Sequence, residues 1–223
     1  MLRHRRFYLF LSVPVALMIG ALVWFRSQPD EITISFVGDI MLSRGVQRYL
    51  EEFGYDYPYE DVRDLFLQDD LTVGNLECPI TDYENAANKA KRFLFKADAE
   101  NASALKRAGF DCLNLANNHT MDYTSPGLLD TMTHLEANGL DYVGASENAA
   151  SKKPYIFEKN GIRVGLLAYS ALPPEGYFFN ADKPTVQYIS TLDFSGLEED
   201  IASVDCDFLI VYFHWGIEFH RYK

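Results

Sequence analysis

Apolar positions in this chain fall into short β-type runs separated by stretches of helical spacing. Residues 32–37 alternate and are rich in β-branched side chains, which predicts a strand running into Gly38-Asp39. Residues 71–73, 110–115, 141–144 and 208–213 are further apolar runs of strand length. Between them, residues 44–52, 61–67, 99–108 and 193–203 have helical spacing, and Gly109 stands where the third of these should stop. Another helix is predicted from about Ser125-Pro126, with Ser125 as N-cap, to Asn138-Gly139. Residues 154–158 and 162–169 flank Asn160-Gly161, a pair that favours a type I′ hairpin turn. Residues 81–92 and 171–185 read as loops. The alternation of strand and helix predicts an α/β fold with mostly parallel pairing.

A different pattern precedes this body. Residues 7–25 carry no charge, and a helix of that length spans roughly 28 Å at about 1.5 Å per residue, near the hydrocarbon thickness of a bilayer. Arg3, His4, Arg5 and Arg6 lie before it, and Asp30 and Glu31 come soon after. The charge bias predicts a cytoplasmic basic flank (residues 1–6), a transmembrane signal anchor (7–25), a linker (26–31) and an extracytoplasmic body (32–223). The rival is a cleaved signal peptide, but the run ends Leu22-Val23-Trp24-Phe25 and lacks a small-x-small cleavage site. Either reading exports the body.

Composition narrows the function classes. The chain has 223 residues, 48% of them apolar, enough for one domain with a real core. Its net charge is −12, although the first 26 residues hold four arginines and no acid. A body that acidic repels phosphate backbones, so no nucleic-acid partner is expected. The same charge opposes a broad docking surface for a polyanion unless metal ions or a local basic patch intervene. Cys78, Cys112 and Cys206 are odd in number and widely spaced, with no CxxC pair, which excludes a zinc ribbon and fits free, buried thiols.

Candidate chemistry lies where the strands end. Four apolar runs open onto polar clusters: Gly38-Asp39, Asn75-Leu76-Glu77, Asn117-Asn118-His119 and His214. Ligands of open α/β sheets sit at the carboxyl ends of the strands. Singly, each residue has a bland reading as a turn, cap or packed loop residue. Together they bring carboxylate, amide and imidazole donors to one edge, a mixture suited to a divalent metal of the Mn, Fe or Zn type. Such a metal could polarise a phosphoryl oxygen and supply hydroxide near neutral pH. There is no GxSxG elbow, Walker loop or dinucleotide glycine run.

The runs FVGDIML (36–42), GNLECPIT (74–81), LANNHTMDY (115–123) and HWGIE (214–218) stand in this order behind the apolar segment. They resemble the ordered motifs of the poly-gamma-glutamate capsule biosynthesis (CapA-like) family, over about residues 32–220. That resemblance implies a four-layer α/β/β/α sandwich like that of calcineurin-type metallophosphoesterases. It implies metal ligands at Asp39, Glu77, Asn118 and His214, and a general acid at His119. Asn75, Asn117, Asp122 and Glu218 become supporting or substrate-contacting residues. It also implies membrane polymer synthase subunits and an anionic polymer as partners. Two departures stand out. The phosphoesterase Asp-x-His becomes Asp39-Ile40-Met41, and no Gly-His-x-His element occurs before Lys223, so the chain is expected to be C-terminally truncated. The alternative function is a non-catalytic accessory subunit of a membrane polymer synthase.

Overall fold

Three sheets contribute to one main core. In a computed structural model of the protein, residues 31–87, 92–174, 179–190 and 193–216 are described. The first sheet is parallel, in the order β1 (Ile34–Ile40), β2 (Leu71–Leu76), β3 (Cys112–Asn114), β4 (Asp141–Val143). Its crossovers run through α1 (Gly45–Phe53) and α2 (Arg63–Phe66), then α3 (Glu100–Ala108), then α4 (Thr124–Ala137). β2 and β3 lie in the middle and are buried throughout, as expected of a parallel sheet covered on both faces.

The remaining strands form two smaller sheets. β5 (Ala145–Ser146) pairs antiparallel with β8 (Thr185–Val186). The hairpin β6 (Tyr155–Lys159) and β7 (Ile162–Ser170) is extended by β9 (Phe208–His214), parallel to β7, after the crossover helix α5 (Ser195–Ser203). Asn160 and Gly161 both have positive φ, 56° and 77°, as a type I′ turn requires. Alternate residues of β7 serve different cores. Leu166 and Ala168 join the main cluster with Val73, Leu113 and Leu128, and Ile210 and Tyr212 of β9 pack against it. Leu167 and Tyr169 form a second cluster against which Leu197 of α5 and Leu209 and Val211 pack. The Tyr212 hydroxyl donates to Val37 O at 2.8 Å, tying the second sheet to β1.

Several boundaries differ from the sequence reading. α4 begins at Thr124, and Tyr123 rather than Ser125 is its cap, with no side-chain cap bond. β1 runs on through Asp39 to Ile40, and β2 through Asn75 to Leu76, so both polar residues lie inside strands. Cys78 and Cys112 are buried free thiols, whereas Cys206 is only partly buried. Burial pushes the Cys78 thiol up to about 12, which suits packing and not nucleophilic chemistry. The predicted span over residues 7–25 and Glu218 lie outside the described residues. Among the described residues, no helix is long and apolar enough to cross a membrane.

Two backbone positions are tightly constrained. At Gly74 the side chains of β1 and Phe110 close on β2: a Cβ there would stand 2.5 Å from Ile40 Cδ1 and 2.9 Å from both Phe110 Cε1 and Val37 Cγ2. Gly74→Ala is expected to cost about 1–3 kcal/mol by overpacking. Urea denaturation checks this; an unchanged midpoint would mean that β1 moves aside freely. The second position is Arg44. Val46 N donates to Ser43 O at 3.1 Å, and Arg44 has φ 57° and ψ −118°. Those angles belong to the first central position of a type II′ turn, which glycine favours. A non-glycine residue held there costs about 1–3 kcal/mol.

Candidate functional site

Register assembles the site. Across the first sheet, Asp39 pairs with Asn75 and Asn75 with Asn114. Paired residues of parallel strands present their side chains to the same face, so the three form a row. Asp39 joins it because of an irregularity: the register shifts between Phe36 and Asp39, placing one extra residue on β1. Without that bulge Gly38 would face Asn75 and Asp39 would turn to the other side.

The row continues through hydrogen bonds whose directions can be fixed. Asn117 Oδ1 accepts from the backbone N–H of His119 and of Thr120, both at 3.0 Å. Asn114 Oδ1 accepts from Ala116 N at 2.7 Å. Both Nδ2 groups therefore face Asn75 Oδ1, at 2.8 Å from Asn114 and 3.1 Å from Asn117. Asn75 Nδ2 is thereby turned toward Asp39 Oδ1, at 2.7 Å, and His214 Nδ1, at 3.2 Å. His214 Nε2 donates to Asn118 Oδ1 at 2.8 Å. Asn75, Asn114 and Asn117 are fully buried, so this network replaces the water they have lost.

The second imidazole is held separately. Asn117 folds residues 117–120 into a tight loop that turns His119 back over the sheet edge. His119 Nδ1 lies 2.9 Å from Asp122 Oδ2, which also accepts Phe95 N at 2.9 Å. A carboxylate there makes Nδ1 the donor and aims Nε2 outward from the pair. The Phe95 ring stacks on the imidazole with centroids 4.1 Å apart. Glu77 stands between the two histidines, its Oε1 3.9 Å from His119 Nε2 and 4.0 Å from His214 Nε2. On the far side, Asp39 Oδ1 is 3.7 Å from His214 Nδ1. The His214 imidazole, then the Asn75 amide, hold the Asp39 carboxyl well below the usual carboxylate range, so Asp39 is anionic near neutral pH.

The structure thus brings together Asp39, Asn75, Glu77, Asn117, Asn118, His119, Asp122 and His214 from the ends of β1, β2, β3 and β9. Two participants had no place in the sequence reading. Asn114 had a signal: it is a polar residue in an otherwise apolar strand, and a buried amide needs partners. Phe95 had none, because one aromatic in a loop is indistinguishable from core. As donors, the carboxylates of Asp39 and Glu77, the Asn118 amide oxygen and the His214 imidazole fit a divalent cation in kind. Among the described residues they stand in pairs, and no three His, Cys, Asp or Glu side chains are grouped closely enough to hold an ion by themselves.

Known proteins share this stretch of chain. The family described as bacterial capsule synthesis protein PGA_cap matches residues 33–223. The capsule biosynthesis protein CapA of Bacillus anthracis is 32% identical over 196 residues, covering 85% of this chain and 48% of that protein. The PGA biosynthesis protein CapA of Bacillus subtilis (strain 168) is 29% identical over 224 residues, covering 95% of this chain and 59% of that protein. The chain therefore spans about half the length of these curated relatives. Among solved structures, a phosphatase of Mycoplasma pneumoniae is similar at 18% identity and a TM-score of 0.49, covering 82% of this chain and 55% of its own. Because the family match runs through every strand that carries the site, from Asp39 to His214, the chain belongs to the bacterial capsule synthesis protein PGA_cap family.

Proposed function

We propose that this protein acts in the synthesis or export of a poly-gamma-glutamate-type capsule at the outer face of the membrane, and that its site is a metal-dependent hydrolase or transferase centre. The observation that carries the reading is the convergence of Asp39, Glu77, Asn118, His119 and His214 on one sheet edge, in a chain of the capsule synthesis family. The charge-free run over residues 7–25 supports a single-pass anchor with the body outside and membrane polymer synthase subunits as partners. The two cores on either face of β7 support a four-layer α/β/β/α sandwich.

In this reading Asp39, Glu77, Asn118 and His214 would hold the cation, which when bound supplies Lewis-acid polarisation of a phosphoryl or acyl oxygen. The rest is done by the chain. Asp122 keeps His119 oriented through its bond to Nδ1. His119 Nε2 then delivers the proton to the leaving group. Asn75 holds Asp39 and His214 at fixed separation, so neither needs to reorganise during reaction.

A second reading has its own observation. Met41 stands where the phosphoesterase pattern has a histidine, and its sulfur accepts from Ser43 N at 3.4 Å as it packs against the core. That position offers no imidazole, which favours a non-catalytic accessory subunit. Metal content separates the two. Protein purified from its own host is expected to carry stoichiometric Mn, Fe or Zn by mass spectrometry, and Asp39→Ala to lose it. Folded protein without metal in either form would favour the accessory role.

A further inference from the structure

Beside the site the acidic chain gathers positive charge. Arg44 and Arg92 are both exposed, and their guanidinium carbons lie 5.3 and 5.1 Å from the centroid of one ring, that of Phe93. Among the described residues neither has a carboxylate partner, which they share with Arg48, Arg63, Lys153 and Lys183 but not with Lys96, Arg107, Lys152, Lys159 or Arg163. In a protein of net charge −12, two like charges on one ring are an arrangement that folding alone does not favour.

The backbone adds an independent sign. Arg44 occupies the type II′ position where glycine would be relaxed, so its side chain is kept at the expense of strain. The segment that carries Arg92 and Phe93 is also bolted to the site. Two residues on, Phe95 stacks on His119 and donates its N–H to Asp122, and Lys96 N donates to Ser43 Oγ at 3.2 Å, next to Arg44. Phe93 thus lies two residues from the ring stacked on His119, and Arg44 lies one residue from the hydroxyl that accepts from Lys96 N.

We infer that Arg44 and Arg92, seated on Phe93, form an oxyanion-binding subsite that positions a non-reacting acidic group of the substrate beside His119. Guanidinium forks bind carboxylate and phosphate in two-point geometry, and a ring beneath them holds the planes without satisfying their donors. The subsite also supplies the local basic patch that an acidic protein needs to engage an anionic chain. This inference deepens the proposed function and rests on its site, but it concerns binding and so can be tested without turnover.

The test is calorimetric titration of the full-length protein with three probes: a γ-linked glutamate octamer, its neutral amidated analogue and inorganic phosphate. Arg44→Gly and Arg92→Gln are compared with the parent, all in a His119→Ala background that suppresses hydrolysis. Each arginine variant is expected to weaken octamer binding at least tenfold, with little effect of amidated octamer on any form. Arg44→Gly should at the same time raise the melting temperature, because the turn relaxes; affinity and stability then move in opposite directions, which a purely structural arginine would not produce. Arginine-dependent binding of phosphate but not octamer assigns the subsite to a phosphoester. Equal binding by all forms, equal binding of the amidated octamer, or no binding of any probe to the parent overturns the inference. Arginine-dependent binding in a protein without metal or turnover would leave it standing while the hydrolase reading falls.

Discussion

Replacing Asn75 by leucine is expected to lower the stability of the fold by about 3 kcal/mol, a substantial share of the roughly 5–15 kcal/mol that holds a domain folded. Leucine shares the branching and the heavy-atom count of asparagine and leaves no cavity, so the loss is chiefly one of hydrogen bonds. Asn75 is fully buried and has all its hydrogen-bonding capacity engaged, with two amide donors on its oxygen and Asp39 and His214 on its nitrogen. Without its oxygen, Asn114 Nδ2 keeps only a 3.3 Å contact with Ala116 O, and Asn117 Nδ2 keeps Leu76 O. Each buried donor left short of a partner costs about 1–3 kcal/mol. Urea denaturation followed by circular dichroism measures the change. A loss below about 1 kcal/mol would mean that water or rotation repairs the network, and that Asn75 is no hub.

The second large effect concerns rate. In the complete protein, His119→Ala is expected to reduce phosphoester hydrolysis by about 10²–10⁴-fold in kcat, the usual contribution of a positioned acid. The loss should depend on the leaving group. A nitrophenyl ester departs without much help, whereas an alkyl ester needs a proton, which in the proposed function His119 would deliver, so the alkyl substrate should suffer more. Asp122→Asn leaves the ring in place yet removes the charge behind Nδ1, and should show the same leaving-group bias at smaller size. Steady-state kinetics on the two esters makes the comparison. Equal losses on both, or a change confined to KM, would remove His119 from the role of acid.

What could be read from the sequence depended on which signals are local. The Asn160-Gly161 hairpin, the stop at Gly109 and the apolar runs of β2, β3 and β9 each rest on residues a few positions apart, and they stand where periodicity and turn chemistry put them. The pairing of Ala145–Ser146 with Thr185–Val186 did not, because two residues carry no period and their partner lies 39 positions away. The gathering of polar residues at strand ends was visible, but not the reason Asp39 belongs with Asn75. That depends on one extra residue in β1, and a bulge shows only when two strands are laid side by side. Asn114 was hidden differently. Its neighbours in residues 110–115 are mostly apolar, and the eye reads such a run as core, whereas the buried amide is what orients Asn75. Cap geometry failed at Ser125 because Tyr123 and Thr124 already take up the turn, Thr124 with φ 62°.

His214 is the site residue that the second sheet supplies, and it is the last residue of β9, which lies at the end of that sheet's strand order among the described residues. Strand ends open locally at a small fraction of the cost of unfolding a domain. The site therefore has two lifetimes. The buried Asn75–Asn114 pair, on the two middle strands of the first sheet, persists as long as the main core does. The attachment of His214, through Asn75, Asn118 and the bond from Ala171 N to His214 O, can lapse and re-form while the core stays closed. Anything that clamps the tip of β9 would lengthen the assembled interval, and anything that pulls it away would take the site apart without a single contact to the four-stranded sheet.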